Sequence, residues 1–134
     1  MVEITHKPIS PEAAINRAKS DSSGCVVTYV GLIRDHSQGK PVLSVEYQDP
    51  EGTAKDRLQE IAHQVKQKWP INNIAIIHRI GTLKVGDINL VIAIAAAHRE
   101  EGLAACQQTV DLFKQKLPTQ KKETYQDGSV RTEE

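Results

Sequence analysis

The feature that most constrains the fold is a run of ten residues, 88–97, that is almost entirely apolar. A strand with one face in water alternates apolar and polar side chains, whereas a strand buried on both faces reads as a continuous apolar run. The run is far too short to cross a membrane as a helix. It therefore predicts a central strand that other parts of the chain cover on both faces.

Two longer segments have the periodicity of amphipathic helices, in which apolar residues recur three or four positions apart. The first covers residues 53–69 and ends before Pro70. The second covers residues 100–116, with an apolar stripe at Leu103, Cys106, Val110, Phe113 and Leu117. A shorter helix is predicted from Ser10, a favourable N-cap, to about residue 19.

The remaining segments alternate between strand-forming and turn-forming composition. We predict strands at residues 25–33, 42–47 and 74–80, a polar loop at 34–41 and a turn-rich link at 81–86. Residues 123–132 are typical of a hairpin around Asp127-Gly128. The order α, β, β, α, β, β, α and hairpin indicates an α+β fold, or a mixed sheet with helices on one side, in a single domain of residues 1–134.

Composition narrows the classes of function. The chain has 17 basic and 17 acidic residues, so its net charge is zero and general nucleic-acid binding is disfavoured. We find no secretory signal and no membrane-length apolar run, which favours a cytoplasmic protein. Cys25 and Cys106 lack metal-ligand spacing and are interpreted as core residues, so no metal site is predicted.

Polar residues follow two of the predicted strands. Arg34 comes directly after the strand at 25–33, and His98-Arg99 follows the apolar run and precedes a helix. Each can be explained without a ligand, as a solvated charge or as a polar residue at a helix start. Together, however, these residues are suited to bind a phosphate or carboxylate group. The pair His78-Arg79 lies inside a strand pattern and is interpreted as structural.

A run of lysines closes the third helix and continues beyond it. Lys114, Lys116, Lys121 and Lys122 lie within nine residues, straddle Pro118 and end on Glu123. Such a run is most often a solvated surface. A proline break, however, can fold the ammonium groups towards one another, where they bind an anion or supply a nucleophile. The residues alone predict an α+β domain with a local cationic pocket.

Four segments, read together, resemble one family: the large, catalytic subunit of molybdopterin synthase. They occur in the family's order and spacing, and the similarity extends from about residue 3 to 131. The segments are GCVVTYVGLIR at 24–34, IHRIGTLKVG at 77–86, AAAHR at 95–99 and DLFKQKLPTQKKE at 111–123.

The resemblance implies an α/β hammerhead fold with a small additional antiparallel β subdomain. It also implies a homodimer that binds two copies of a small ubiquitin-like sulfur-carrier subunit, MoaD-like, in a heterotetramer. The implied reaction is sulfur transfer from the thiocarboxylated C-terminus of the carrier to cyclic pyranopterin monophosphate, a pterin phosphate formerly called precursor Z. The product is molybdopterin, and no cofactor is implied.

The resemblance also assigns roles to residues. Lys114 and Lys121 are expected to be catalytic, because they can attract the thiocarboxylate and stabilise charge as sulfur transfers. Like charges disfavour a protonated lysine, which would favour a neutral amine. The full expected substrate-binding set is Arg34, His98, Arg99, Lys114, Lys121, Lys122 and Glu123.

The chain departs from the family pattern where the family has an aromatic residue before the second lysine, and Gln120 stands there instead. Residues 50–54 also lack the family's aromatic and Met-Ala. The expected consequence is a pocket without an aromatic wall. Two alternatives to the enzyme therefore stay open: a non-catalytic module that binds the carrier, and an unrelated domain that binds phosphate ligands.

Overall fold

The computed structural model describes residues 1–133. It contains three helices, which are α1 Pro11–Ala18, α2 Ala54–Lys68 and α3 Arg99–Gln115. The described residues form nine strands: β1 Val2–Thr5, β2 Cys25–Leu32, β3 His36–Ser37, β4 Lys40–Gln48, β5 Asn73–Arg79, β6 Gly81–Lys84, β7 Ile88–Ala96, β8 Gln120–Tyr125 and β9 Val130–Glu133. The predicted long elements are confirmed to within a few residues at each end.

The first sheet has the strand order β1-β5-β7-β2, with β1 parallel to β5 and the other pairs antiparallel. Strand β7 lies inside it and is buried from Leu90 to Ala96, as the apolar run predicts. Helices α2 and α3 pack on one face of this sheet, and α1 packs its buried alanines on the other. Of the two alternatives, the mixed sheet with helices on one side is therefore wrong, because both faces of β7 are apolar and both need cover.

The second sheet has the order β3-β4-β8-β9, and β6 pairs with β4 as well. Its own core contains Val45, Tyr47, Leu83 and Tyr125. The predicted hairpin is confirmed, with Gly128 at φ 88° in the turn, a left-handed conformation that glycine adopts without strain.

Three short strands were not expected from the sequence. The predicted link at 81–86 contains β6, and the predicted loop at 34–41 contains the two-residue strand β3. Strand β1 at the N-terminus is the third. Each has at most four residues, too few for an alternating pattern to stand out, and each is fixed by its partner strand instead.

The buried face of α3 differs by one position from the predicted stripe. Leu103 is 56% exposed, whereas the inward face follows Gly102, Cys106, Thr109 and Phe113. A Cβ at residue 102 would lie 3.2 Å from the Val27 side chain on β2. Glycine therefore lets α3 approach the sheet closely at this end, and the helix turns Leu103 to the surface.

Candidate functional site

A cavity of about 410 Å³ opens where the end of β2, the last turn of α3 and strand β8 meet. Strands β4 and β7 supply its floor. The polar residues that line it are Arg34, His36, Ser37, Tyr47, Asn89, Lys114, Lys121 and Glu123. The size suits a small organic ligand, and most of its charged side chains are cationic.

Three predicted cationic site residues, Arg34, Lys114 and Lys121, line this one cavity, as does the predicted Glu123. Arg34 follows β2, Lys114 lies in the last turn of α3, and Lys121 is the second residue of β8. Lys114 also complements the negative end of the helix dipole, which alone would explain a lysine at that position. In residues 1–133 none of the three makes an ion pair, so their charges are available to an anion.

Strand β8 alternates its side chains between two faces. Lys121 and Glu123 line the cavity, whereas Lys122 lies on the opposite face and is exposed. The structure thus does not bring Lys122 to the other predicted site residues. Glu123 is 3% exposed, and its ion pair is with Arg131 of β9 at 3.5 Å rather than with a lysine.

His98 and Arg99 lie elsewhere in the chain. They line a separate depression together with Gly24, Cys25 and Leu103. That depression is at the start of β2, whereas Arg34 follows its end, and eight residues of strand span about 25 Å. Within one chain the structure therefore does not bring Arg34 together with His98 and Arg99.

The departure at Gln120 falls outside the cavity. Gln120 precedes Lys121 on β8 and lines a different depression with Asp49, Pro50 and Pro118. Residue 50 belongs to the second departing segment, so both departures meet in that depression. The expected loss of an aromatic wall from the lysine cavity is not what this structure has, because the cavity retains Tyr29, Tyr47 and Phe113.

Behind the cavity floor lies His78, which is fully buried. Its Nδ1 is 2.9 Å from the backbone oxygen of Asn89, and its Nε2 is 3.0 Å from Thr119 Oγ. The rings of Tyr47 and Phe113 meet the imidazole edge-on, with centroids 5.0 and 5.1 Å away. Burial lowers the pKa of His78 to about 4, so the imidazole is neutral at pH 7.

The family model described as "MoaE protein" matches residues 4–116 of this sequence. The chain belongs to the MoaE protein family. The match includes Arg34, His98, Arg99 and Lys114 and ends before β8. The chain is 42% identical over 127 residues to the molybdopterin synthase catalytic subunit of Nostoc sp., covering 94% of this chain and 77% of that protein. It is 34% identical to the Bacillus subtilis protein of the same name, covering 94% and 80%.

Solved structures share the fold. A structure of molybdopterin synthase from Staphylococcus aureus superposes with a TM-score of 0.90 at 29% identity, covering 98% of this chain and 96% of that chain. A Helicobacter pylori complex of subunits 1 and 2 of molybdopterin-converting factor matches with a TM-score of 0.75 at 15% identity, covering 94% and 86%. The expected α+β fold, the α/β hammerhead with a small antiparallel β subdomain, is confirmed.

Tyr47 and Asn89 are among the polar residues of the MoaE-family cavity that sequence reasoning missed. Asn89 Nδ2 donates a hydrogen bond to Tyr47 Oη at 2.9 Å, and burial raises the pKa of Tyr47 to about 12. The phenol is therefore neutral at every physiological pH. Tyr47 stands two residues after buried Val45 on β4, so strict alternation would have pointed it inward. Asn89 carries no comparable signal, because it is a single polar residue within the apolar run that forms β7 and no alternating pattern indicates where its side chain lies.

The described residues offer little support for other classes of site. No group of three His, Cys, Asp or Glu side chains in residues 1–133 is placed to hold a metal ion. No helix in the same residues is long and apolar enough to span a bilayer. Cys106 is buried, which raises its thiol pKa, and Cys25 is half-buried; both are free thiols.

We expect acid to destabilise this MoaE-family fold through His78. The ordinary pKa of histidine is 6.5 and the folded value is about 4, so between these values the unfolded chain binds the proton and the folded chain does not. Stability is unaffected above pH 6.5 and falls as the pH drops from 6.5 to 4, by about 3 kcal/mol in total.

Urea unfolding across that pH range measures the effect. His78→Phe should lack this part of the pH dependence, because phenylalanine cannot bind the proton. Parallel stability profiles for the wild type and the variant between pH 4 and 7 would show that His78 takes up its proton equally in both states.

Proposed function

We propose that this chain is the catalytic subunit of a molybdopterin synthase. In this role it transfers sulfur from the thiocarboxylated C-terminus of a small ubiquitin-like carrier to cyclic pyranopterin monophosphate. The observation that carries the proposal is that Arg34, Lys114 and Lys121 share one cavity in a chain of the MoaE family. We further propose that it works in the cytoplasm, and its two free thiols are consistent with that reducing compartment.

The proposed sulfur transfer requires cationic side chains at two places in the site. The substrate brings a phosphate and the carrier brings an anionic C-terminal thiocarboxylate, so each needs a positive partner. We assign Lys114 and Lys121 to the reacting sulfur and to the charge that develops on the carrier's acyl group as sulfur leaves. Arg34, at the end of β2, is assigned to the phosphate, because a guanidinium binds phosphate oxygens in a bidentate manner.

Glu123 and the aromatic residues complete the proposed site. The buried Glu123 carboxylate lies on the same face of β8 as Lys121, and its ion pair with Arg131 ties that face of β8 to β9. Tyr29, Tyr47 and Phe113 supply flat apolar surface for a pterin ring. Sulfur arrives on the carrier, so the subunit needs no reactive cysteine of its own.

His98 and Arg99 enter the proposed site from a second copy of the chain. Their distance from Arg34 along β2 prevents them from reaching the cavity of their own chain. In a symmetric dimer, however, the same depression of one protomer can face the cavity of the other. We propose that each active site takes Lys114 and Lys121 from one protomer and His98 and Arg99 from its partner.

Mixing two inactive variants tests that arrangement. Lys114→Ala and Arg99→Ala homodimers should each be inactive. In a mixed dimer, one site keeps both the Lys114 and the Arg99 side chains, and the other site has lost both. After random exchange of subunits, about a quarter of the wild-type sites should be active again. Activity that stays at the level of the separate variants, in mixtures shown by mass spectrometry to contain mixed dimers, would mean that each site belongs to one chain.

The function itself is tested by reconstitution. The protein is mixed with thiocarboxylated carrier and cyclic pyranopterin monophosphate, and molybdopterin is measured. A carrier that ends in an ordinary carboxylate is the control, and it should give no product. Absence of molybdopterin with the thiocarboxylated carrier, under conditions in which the Bacillus subtilis relative makes it, would reject the proposal.

Neither alternative is favoured by the structure. The altered Thr119-Gln120 pair motivates the non-catalytic module, and neither residue of the pair lines the lysine cavity. An unrelated phosphate-binding domain does not agree with membership of the MoaE family.

A further inference from the structure

His78 contacts every segment that carries a catalytic lysine in the proposed function. Phe113, which stacks edge-on against it, directly precedes Lys114 on α3. Thr119, which hydrogen-bonds its Nε2, lies two residues before Lys121. Tyr47, its second aromatic neighbour, is the cross-strand partner of Lys121 in the register of β4 and β8. One buried side chain thus links both lysine-bearing segments.

The hydrogen bonds define which nitrogen of His78 holds the proton. The backbone carbonyl oxygen of Asn89 can only accept a hydrogen bond, so Nδ1 of the imidazole is the donor at 2.9 Å. A neutral imidazole with hydrogen on Nδ1 must accept at Nε2. The Thr119 hydroxyl, which is 4% exposed, is therefore the donor to Nε2 at 3.0 Å.

The contact acts on a short connection that Leu117 also anchors, by packing against two hydrophobic clusters. Residues 116–119 connect the C-cap of α3 to β8 without regular structure. The pairing of β8 with β4 begins at Gln120 and places Lys121 opposite Tyr47. Thr119 is the residue of this connection that holds a side-chain hydrogen bond to the first sheet. A connection that swings freely would let Lys121 move relative to Lys114, and misplacement by about 1 Å can cost a hundredfold in rate.

We propose that the hydrogen bond from Thr119 to His78 is a positioning contact, which fixes the separation of Lys121 from Lys114 across the cavity. The proposal rests on the proposed function, since it concerns the same site. Neither residue touches the substrate, and neither donates a proton to it. Their role is to hold the two ammonium groups where one thiocarboxylate meets both.

Two substitutions at position 119 separate the hydroxyl from the shape of the side chain. Thr119→Val keeps the volume and removes the donor, whereas Thr119→Ser keeps the donor and removes a methyl group. We expect Thr119→Val to lower kcat for molybdopterin formation about tenfold, with KM for both substrates changed by less than about threefold. Thr119→Ser should stay within about twofold of the wild type.

Thr109 provides the matched control. It is fully buried on α3, and its hydroxyl donates to the Ala105 carbonyl oxygen at 2.7 Å, outside the cavity. Thr109→Val removes a buried hydroxyl of the same kind without touching His78, and it should leave kcat unchanged. Equal kcat for Thr119→Val and the wild type, or equal losses in Thr119→Val and Thr109→Val, would overturn the positioning role.

The tautomer of His78 gives a test that needs no activity. Nitrogen-15 NMR correlation of the imidazole should show the proton on Nδ1 in the wild type and a changed Nε2 signal in Thr119→Val. A proton on Nε2 in the wild type would overturn the inference even if molybdopterin forms. A wild type that makes no molybdopterin but shows the Nδ1 proton would instead reject the proposed function and leave this contact in place.

Discussion

Replacing Lys114 with alanine should lower the rate of molybdopterin formation by about 10²- to 10³-fold, the usual cost of removing a preorganised group that stabilises charge in the transition state. The physical reason is that Lys114 projects from the end of α3 into the cavity and makes no ion pair with another described residue. Its charge is therefore directed at whatever anion enters. The measurement is kcat/KM with thiocarboxylated carrier at saturating pterin.

Lys116 is the matched control for this variant. It is also exposed and lies two residues further along, at the C-cap of α3, but it borders a different depression with Arg57 and Glu60. Lys116→Ala removes the same charge from the same end of the same helix, and its rate should stay within about twofold of the wild type. Equal losses in the two variants would attribute the effect to net charge, and near-normal turnover in Lys114→Ala would remove Lys114 from the catalytic set.

The long elements could be predicted because their patterns are strong enough to determine them locally. The apolar run that became β7 and the periodic segments that became α2 and α3 each carry many residues with one consistent preference. The fold class follows from their order, and the resemblance added the hammerhead and the β subdomain. The buried face of α3 is predicted less accurately, because the close approach of Gly102 to β2 is a tertiary contact that the periodicity of the sequence does not encode.

The short strands could not be predicted for a different reason. Strand β3 has two residues and β6 has four, and both form because the edge of β4 opposite β8 offers unpaired backbone groups, at residues 40–41 for β3 and 44–47 for β6. That opportunity exists only once β4 is placed. The sequence alone therefore favours a loop at 34–41 and a link at 81–86.

The sequence predicts which charged residues belong to the site, but it does not predict which of them share one cavity. Lys114, Lys121 and Arg34 lie near the ends of predicted elements, and the structure places all three in one cavity. His98 and Arg99 satisfied the same criterion but follow β7 at the opposite end of the sheet from Arg34. Antiparallel pairing puts the end of one strand beside the start of the next, so residues that follow β2 and β7 separate.

The buried contacts behind the cavity were beyond sequence reasoning. The strand pattern around His78 indicates a structural role, and the burial of His78 agrees with that interpretation. Its link to Thr119 joins residues 41 positions apart, and its contacts with Tyr47 and Phe113 come from two further elements. No local pattern contains such a meeting point, which is where the structure adds most to the proposed function.

The adjacent lysines of β8 give the second large expected effect. Lys121→Ala should lower the rate of molybdopterin formation by about a hundredfold, because Lys121 lines the cavity on the same face as buried Glu123. Lys122→Ala should stay within about threefold of the wild type, because its side chain is exposed on the other face of the strand. Both variants remove one positive charge from one strand, so net charge cannot distinguish them.

The turnover rate and the thermal unfolding temperature are measured for both variants. Together they decide whether the position of each lysine matters or only the positive charge of the run. If the lysine run acted only as a positive surface that attracts the carrier, the two variants would lose similar rates, and added salt would weaken both in parallel. The alternating geometry of β8 instead requires a large difference between neighbours at equal stability. A hundredfold loss in Lys122→Ala with normal turnover in Lys121→Ala would place the reacting anion on the opposite face of β8 and reject the cavity as the active site.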